Sequence, residues 1–179
     1  LKFNASLKNI NLENNEIVKS KYAKEDTLQG ESFDVGATVE HEGANWKIVK
    51  GKDSDGDYQI ACFDGIIAIA DALKVNASLK SINLLKNEIG DEGFEAIKIA
   101  FEGNENLKSV CGIEEDETEK NFRNENLRPV DGKLLALDLK FNASLKNINL
   151  ASNDLVVSQG GWTHYPNGIW KYRHIDGRG

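Results

Sequence analysis

The chain has no methionine, two cysteines, two prolines and three histidines in 179 residues. Each scarcity excludes something. Cys62 and Cys111 are far apart and form no Cys-x-x-Cys pair, so neither a disulfide-stapled framework nor a cysteine-rich zinc site is expected. Both are read as small buried or half-buried residues in a reducing compartment. His41, His164 and His174 show no metal-ligand spacing with one another or with a cysteine. There is no Gly-x-Ser-x-Gly, no His-Glu-x-x-His and no glycine-rich phosphate cradle. No catalytic residue and no cofactor are therefore predicted. No apolar run approaches the roughly 18 residues that a membrane-spanning helix requires. No basic stretch followed by an apolar one opens the chain, so the expected location is intracellular, in the cytoplasm. The opening Leu1-Lys2-Phe3-Asn4, without Met, reads as the middle of a repeat and predicts a fragment. Net charge is −7 with no long basic run, so neither nucleic acid nor a membrane surface is expected as partner.

Against these absences stands a strong internal repetition. Residues 1–12 read LKFNASLKNINL, and residues 139–150 repeat them without a change. Residues 73–84 read LKVNASLKSINL, and a weaker copy, FEGNENLKSVCGI, lies at 101–113. Such identity marks duplication of a structural unit. The shared pattern is Leu-x-x-Ile-x-Leu-x-x-Asn-x-Ile/Leu. It falls on Leu7, Ile10, Leu12, Asn15 and Ile17, then on Leu79, Ile82, Leu84, Asn87 and Ile89, and last on Leu145, Ile148, Leu150, Asn153 and Leu155. Ile82 and Leu84 alternate with Ser81 and Asn83, which is the two-residue period of a strand. The pattern Asn sits at the bend that follows, where its amide can satisfy backbone groups left unpaired by the turn.

Helical spacing precedes the strands. Ile66, Ile69, Ala70 and Leu73 predict a helix over 65–74, and Phe94, Ile97 and Phe101 predict another over 91–102. Asp91 and Glu92 at its start favour the helix dipole. Asn76 and Asn104 follow the helix ends, where Asn tolerates the left-handed conformation. Leu79 and Leu107 are 28 positions apart, Leu107 and Leu145 are 38, and Leu7 and Leu79 are 72. The last two gaps require extra or inserted material.

The segment ASLKSINLLKNEIGDEGFEAIKIAF, above all Asn-Glu-Ile-Gly-Asp-Glu-Gly at 87–93, resembles the leucine-rich repeats of the ribonuclease-inhibitor type. The likeness covers about half of the chain, roughly 1–18, 64–113 and 131–156. It departs at 107–115, where Gly112 and Glu115 replace an apolar residue and the Asn. The resemblance implies an α/β leucine-rich-repeat solenoid, with parallel strands on a concave face and helices outside, interrupted by a small antiparallel β insert.

Four regions are expected. Residues 1–18 form a partial repeat, 19–63 an inserted β meander, 64–156 further repeats with an acidic loop at 114–130, and 157–179 a β-rich tail. Within the insert, Thr38-Val39-Glu40, Trp46 to Val49 and Tyr58-Gln59-Ile60 read as three short strands, with turns at Gly43 and Asp55-Gly56. In the tail, Gly168-Ile169-Trp170-Lys171 parallels Gly43 to Lys47, as if a second insert began there. Its aromatics Trp162, Tyr165, Trp170 and Tyr172, with Arg173, read mainly as the core of that element, and otherwise as anchors for a partner.

Asp53, Asp55 and Asp57 have the spacing of calcium-loop oxygens, but Tyr58 and Asp64 stand where such a loop needs Gly and Glu. A hairpin turn is the preferred reading, and no metal is expected. The three Asn-Ala-Ser triplets, at Asn4, Asn76 and Asn142, match a glycosylation acceptor but read as structural caps. The strand positions that alternate with the apolar ones carry Lys8 and Asn11, Lys80 and Asn83, Lys108, and Lys146 and Asn149. As a row they predict a binding face for an acidic or polar protein ligand. The functional expectation is a non-catalytic protein-interaction scaffold. The alternative is a regulatory or sensing region of a larger enzyme whose catalytic part lies elsewhere.

Overall fold

A computed structural model describes residues 6–155, and as backbone strands alone Gly160–His164 and Trp170–His174. In chain order the elements are β1 (Asn9–Asn11), β2 (Lys19–Lys24), β3 (Thr38–His41), β4 (Ala44–Lys50), β5 (Asp57–Cys62), α1 (Asp64–Val75), β6 (Ser81–Asn83), α2 (Gly90–Glu102), β7 (Glu119–Asn121), α3 (Pro129–Phe141), β8 (Asn147–Asn149), β9 (Gly160–His164) and β10 (Trp170–His174). Among the described residues no helix is long and apolar enough to cross a membrane.

The apolar spacing at 65–74 and 91–102 becomes α1 and α2, each longer by a residue or two. Ile66, Ala70 and Leu73 are buried on α1, and Ile97, Ala100 and Phe101 on α2. α3 begins where Pro129 supplies a pre-set φ at the first helical position, and the Asp131 carboxylate accepts the Arg128 amide at 2.7 Å. Asn76 and Asn104 do not adopt the left-handed conformation that Asn can take after a helix end. Asn76 has φ −82°, and its side chain turns the chain onward rather than capping α1: Oδ1 accepts the amides of Ser78 and Leu79 at 2.9 and 2.8 Å. Asn142 does the same for Ser144 and Leu145. Asn4 lies outside the described residues.

The expected leucine-rich-repeat solenoid is corrected by the sheet topology. The molecule is mixed α/β, with three helices, a four-stranded antiparallel sheet and small two-stranded parallel sheets among the described residues. A solenoid requires one parallel sheet running through every unit. Here β1 pairs in parallel with β6 alone, and β7 with β8 alone. Beyond β6 the pairing shrinks to single bridges, parallel at Ser109 and antiparallel at Cys111. The cause is local. Gly112 adopts φ +70°, which turns the chain out of strand geometry, and a Cβ there would meet the Asn83 side chain at 3.0 Å. The third copy thus makes no strand, and the two parallel pairs stay separate.

The insert forms a four-stranded antiparallel sheet in the order β2-β5-β4-β3. β2 was not foreseen from the sequence, and β7 falls inside the segment read as an acidic loop. The tail strands β9 and β10 pair antiparallel, with Trp170 opposite His164. The tail's aromatic side chains lie outside the described residues.

Two apolar clusters result. The larger joins the helices to Ile82, Leu84, Val110 and Leu127, with Leu12 and Leu150 packed at its border. The smaller lies on the antiparallel sheet and contains Ala23, Leu28, Val39, Ile48, Tyr58 and Ile60, with Phe33 and Trp46 against them.

Candidate functional site

The parallel pairing positions the predicted polar row. The Lys8 carbonyl accepts the amides of Lys80 and Ser81 at 2.7 and 3.1 Å, and the Lys80 carbonyl accepts those of Lys108 and Ser109 at 2.7 and 3.3 Å. Lys8, Lys80 and Lys108 therefore lie side by side, at about the 4.8 Å spacing of neighbouring strands. Lys8 and Lys108 are exposed and Lys80 is half-buried. Lys146 is not brought to them: its amide donates to the Thr118 carbonyl at 2.8 Å. Asn11 stands opposite Asn83, while Asn149 stands opposite Asn121 in the other pair.

The asparagines divide their amides between two tasks. Each carbonyl turns the chain after its strand, accepting an amide two residues on. Asn11 takes Glu13 at 3.0 Å, Asn83 takes Leu85 at 3.1 Å, and Asn149 takes Ala151 at 3.1 Å. This is the Asx-turn use of the residue. Asn83 Nδ2 donates to Glu13 Oε2 at 2.9 Å, whereas the Asn11 and Asn149 Nδ2 groups bond no described residue.

Acidic groups border this face. Asn9 Nδ2 reaches Glu114 at 3.4 Å and Asn147 Nδ2 reaches Glu119 at 2.9 Å. Lys86, at φ +61°, is held between Glu13 at 2.6 Å and Glu125 at 2.5 Å. Burial pulls its ammonium down, but the hydrogen bonds to Glu125 and Glu13 and the attraction of both carboxylates outweigh it, so its pKa is raised. Lys21, Lys47, Lys52, Lys74, Lys86, Lys98, Lys120, Lys133 and Lys140 each pair with a carboxylate. Lys8, Lys80, Lys108 and Lys146 pair with none among the described residues, and neither do Lys19, Lys24, Lys50 and Arg123.

The aspartates of the insert shape a turn. Asp53 Oδ1 accepts the amides of Asp55 and Asp57 at 3.0 and 2.9 Å, and Gly56 adopts φ +85° between β4 and β5. Among the described residues no three His, Cys, Asp or Glu side chains are grouped to hold a metal ion. His41 is buried, its Nδ1 3.0 Å from the Thr27 carbonyl oxygen and its ring edge-on to Trp46. Cys111 is buried, and burial, followed by the Asp138 carboxylate, pushes its thiol up. The side chains of His164 and His174 lie outside the described residues.

Sequence reasoning missed two buried carboxylates. Asp138 accepts the Ser109 hydroxyl at 2.6 Å and the amides of Val110 and Cys111 at 2.8 and 3.1 Å. Asp131 accepts the amide of Lys86 at 2.7 Å. The available signal was their place among apolar residues in PVDGKLLALDLKF. Comparison with protein-family models, curated proteins and solved structures finds no match for this chain.

Proposed function

We propose that this chain is a non-catalytic protein-binding module whose contact face is the polar row Lys8, Asn11, Lys80, Asn83 and Lys108. Lys146 and Asn149 extend that chemistry onto the separate β7–β8 pair. The ligand is an acidic or polar segment of another protein. The observation that carries this reading is the backbone pairing that sets Lys8, Lys80 and Lys108 side by side, none of them with a carboxylate partner among the described residues. Adjacent unpaired ammonium groups repel one another, and an acidic segment relieves that repulsion. The exposed amides of Asn11 and Asn149 add donors that suit carboxylate and carbonyl oxygens. The two short parallel pairs fix these groups on backbone that is hydrogen-bonded to a neighbouring strand, so less ordering is needed on binding than in a free loop.

The test is a fluorescently labelled Asp/Glu-rich peptide titrated with the wild type and with the triple variant Lys8→Glu, Lys80→Glu, Lys108→Glu. The triple variant is expected to bind at least about tenfold more weakly. Lys146→Glu alone is expected to have a smaller effect, because Lys146 lies in the other strand pair. Unchanged affinity in the triple variant, with an unchanged circular dichroism spectrum, refutes the assignment.

A further inference from the structure

The C-terminal ends of α2 and α3 enclose a cavity of about 540 Å³. The equivalent position between α1 and α2 is bridged. There Asn104, just after α2, donates from Nδ2 to the carbonyls of Leu73 and Asn76 at 2.6 and 2.9 Å, strapping one helix end to the next. Asn142 follows α3 as Asn104 follows α2. Its Oδ1 accepts the downstream amides of Ser144 and Leu145, but its Nδ2 bonds no described residue, so no strap crosses to α2. The separation of α2 from α3 has a source in the chain: β7 and its flanking residues intervene between Leu107 and the start of α3.

The cavity has an apolar interior and a negative border. Phe101 is buried while Phe141 is 54% exposed, and their rings meet at 5.6 Å and 67°. Leu107 and Ile113 complete the apolar surface. Two helix C-termini border it, each a partial negative charge. Three glutamates line it against one lysine, Lys108. Glu102 is paired with Lys140 at 3.0 Å, while Glu105 and Glu115 pair with no cation among the described residues.

We propose that this cavity takes an apolar side chain, Phe or Leu, from a basic segment of a partner protein, with flanking Lys or Arg residues meeting Glu105 and Glu115. The surface is separate from the polar row and opposite to it in the charge it selects; only Lys108 borders both. An apolar anchor alone is under-specified in such a shallow site, and the charged border supplies the selection.

Fluorescence anisotropy with three short capped peptides tests this. One has a Phe flanked by lysines, one a Phe flanked by glutamates, and one has the Phe of the lysine peptide replaced by Ser. The first is expected to bind at least about tenfold more tightly than the other two. The double variant Glu105→Lys, Glu115→Lys, both changes on exposed side chains, is expected to remove about tenfold of that affinity, as is Phe141→Ala. Lys8→Glu with Lys80→Glu should leave it intact, which separates this site from the row. Equal binding of the lysine and glutamate peptides overturns the proposal, as does indifference to Glu105→Lys, Glu115→Lys. So does a dimer in sedimentation that Phe141→Ala abolishes, since a second copy of the chain would then fill the cavity.

Discussion

Asn87 is 1% exposed, and both ends of its amide are fully engaged. Nδ2 donates to the carbonyls of Leu12, Leu84 and Leu85 at 2.8, 3.0 and 3.2 Å, and Oδ1 accepts the amides of Asn15 and Ile17 at 3.0 and 3.4 Å. One side chain thus ties the turn after β6 to the turn after β1, across 72 residues of sequence. Asn153 plays the same part between Leu150 and Phe122. Replacing Asn87 with Ala strands buried backbone groups, and the expected cost is about 2–4 kcal/mol. Asn15 is the control: its side chain is exposed and makes a single bond, to the Glu13 carbonyl at 3.0 Å, so Asn15→Ala should cost under about 1 kcal/mol. Urea denaturation midpoints of the two variants check this, and equal shifts would refute the bridging role. The Asn positions were legible in the sequence because the turn chemistry of Asn is local. What the sequence could not tell was that one copy of the Asn serves two turns at once, since that depends on which strands come together.

At the scale of elements, legibility followed periodicity. α1 and α2 were read from apolar spacing, and β3, β4 and β5 from alternation around Trp46 and Ile60. β2 escaped because Lys-Ser-Lys-Tyr-Ala-Lys buries Ala23 alone, leaving Tyr22 57% exposed, so its membership of the sheet rests on backbone pairing with β5. The polar row was legible as residues but not as geometry: Lys8, Lys80 and Lys108 come together, and Lys146 does not. Helical material was expected ahead of the last strand, where α3 lies, but not that its Asp138 substitutes for a missing strand by holding the irregular segment at Ser109 to Cys111. Burial pushes the Asp138 carboxyl above the ordinary aspartate range, against the opposing pull of its donors at Ser109, Val110 and Cys111. The folded state therefore binds this proton at higher pH than the unfolded chain. Ionisation of Asp138 is thus disfavoured by folding, and that penalty, present at neutral pH, is relieved as pH falls through the folded pKa toward the unfolded value. Asp138→Asn removes the titration and orphans part of the donor set, costing about 1–3 kcal/mol at pH 7. The stability gap between wild type and Asp138→Asn is expected to widen as the pH is lowered through that window. A gap that narrows instead would mean that the three donors outweigh burial.

At the scale of the whole molecule, the two apolar clusters differ in size and meet along one strand. Within β5, Tyr58 and Ile60 belong to the smaller cluster on the antiparallel sheet, while Ala61 belongs to the larger one under the helices. Val18, just before β2, also packs in the larger cluster. The junction is tight: a Cβ at Gly65, in the first turn of α1, would stand 2.8 Å from the Ile17 carbonyl oxygen. Lys47 of β4 pairs with Glu92 of α2 at 2.8 Å, but both side chains are partly exposed, so that link is weak. Going outward from β5, support falls away. β4 is irregular between Ile48 and Lys50, and β3 is the edge strand, covered at Glu40 by a single bridge from Gln29. Its turn into β4 passes through Glu42 at φ +53° and Gly43 at φ +76°. Local opening follows the density of buried contacts, so protection against hydrogen exchange should form a gradient within this one sheet. Amides of β5 are expected to exchange at the slow rate of α1 and β6, and those of β3 at least about a hundredfold faster once intrinsic rates are removed. Exchange followed by mass spectrometry on peptides covering 38–50 and 57–75 reads this directly. Uniform protection across β3, β4 and β5 would show that the smaller cluster opens only with the larger, and that the insert is bound into a single cooperative unit through β5.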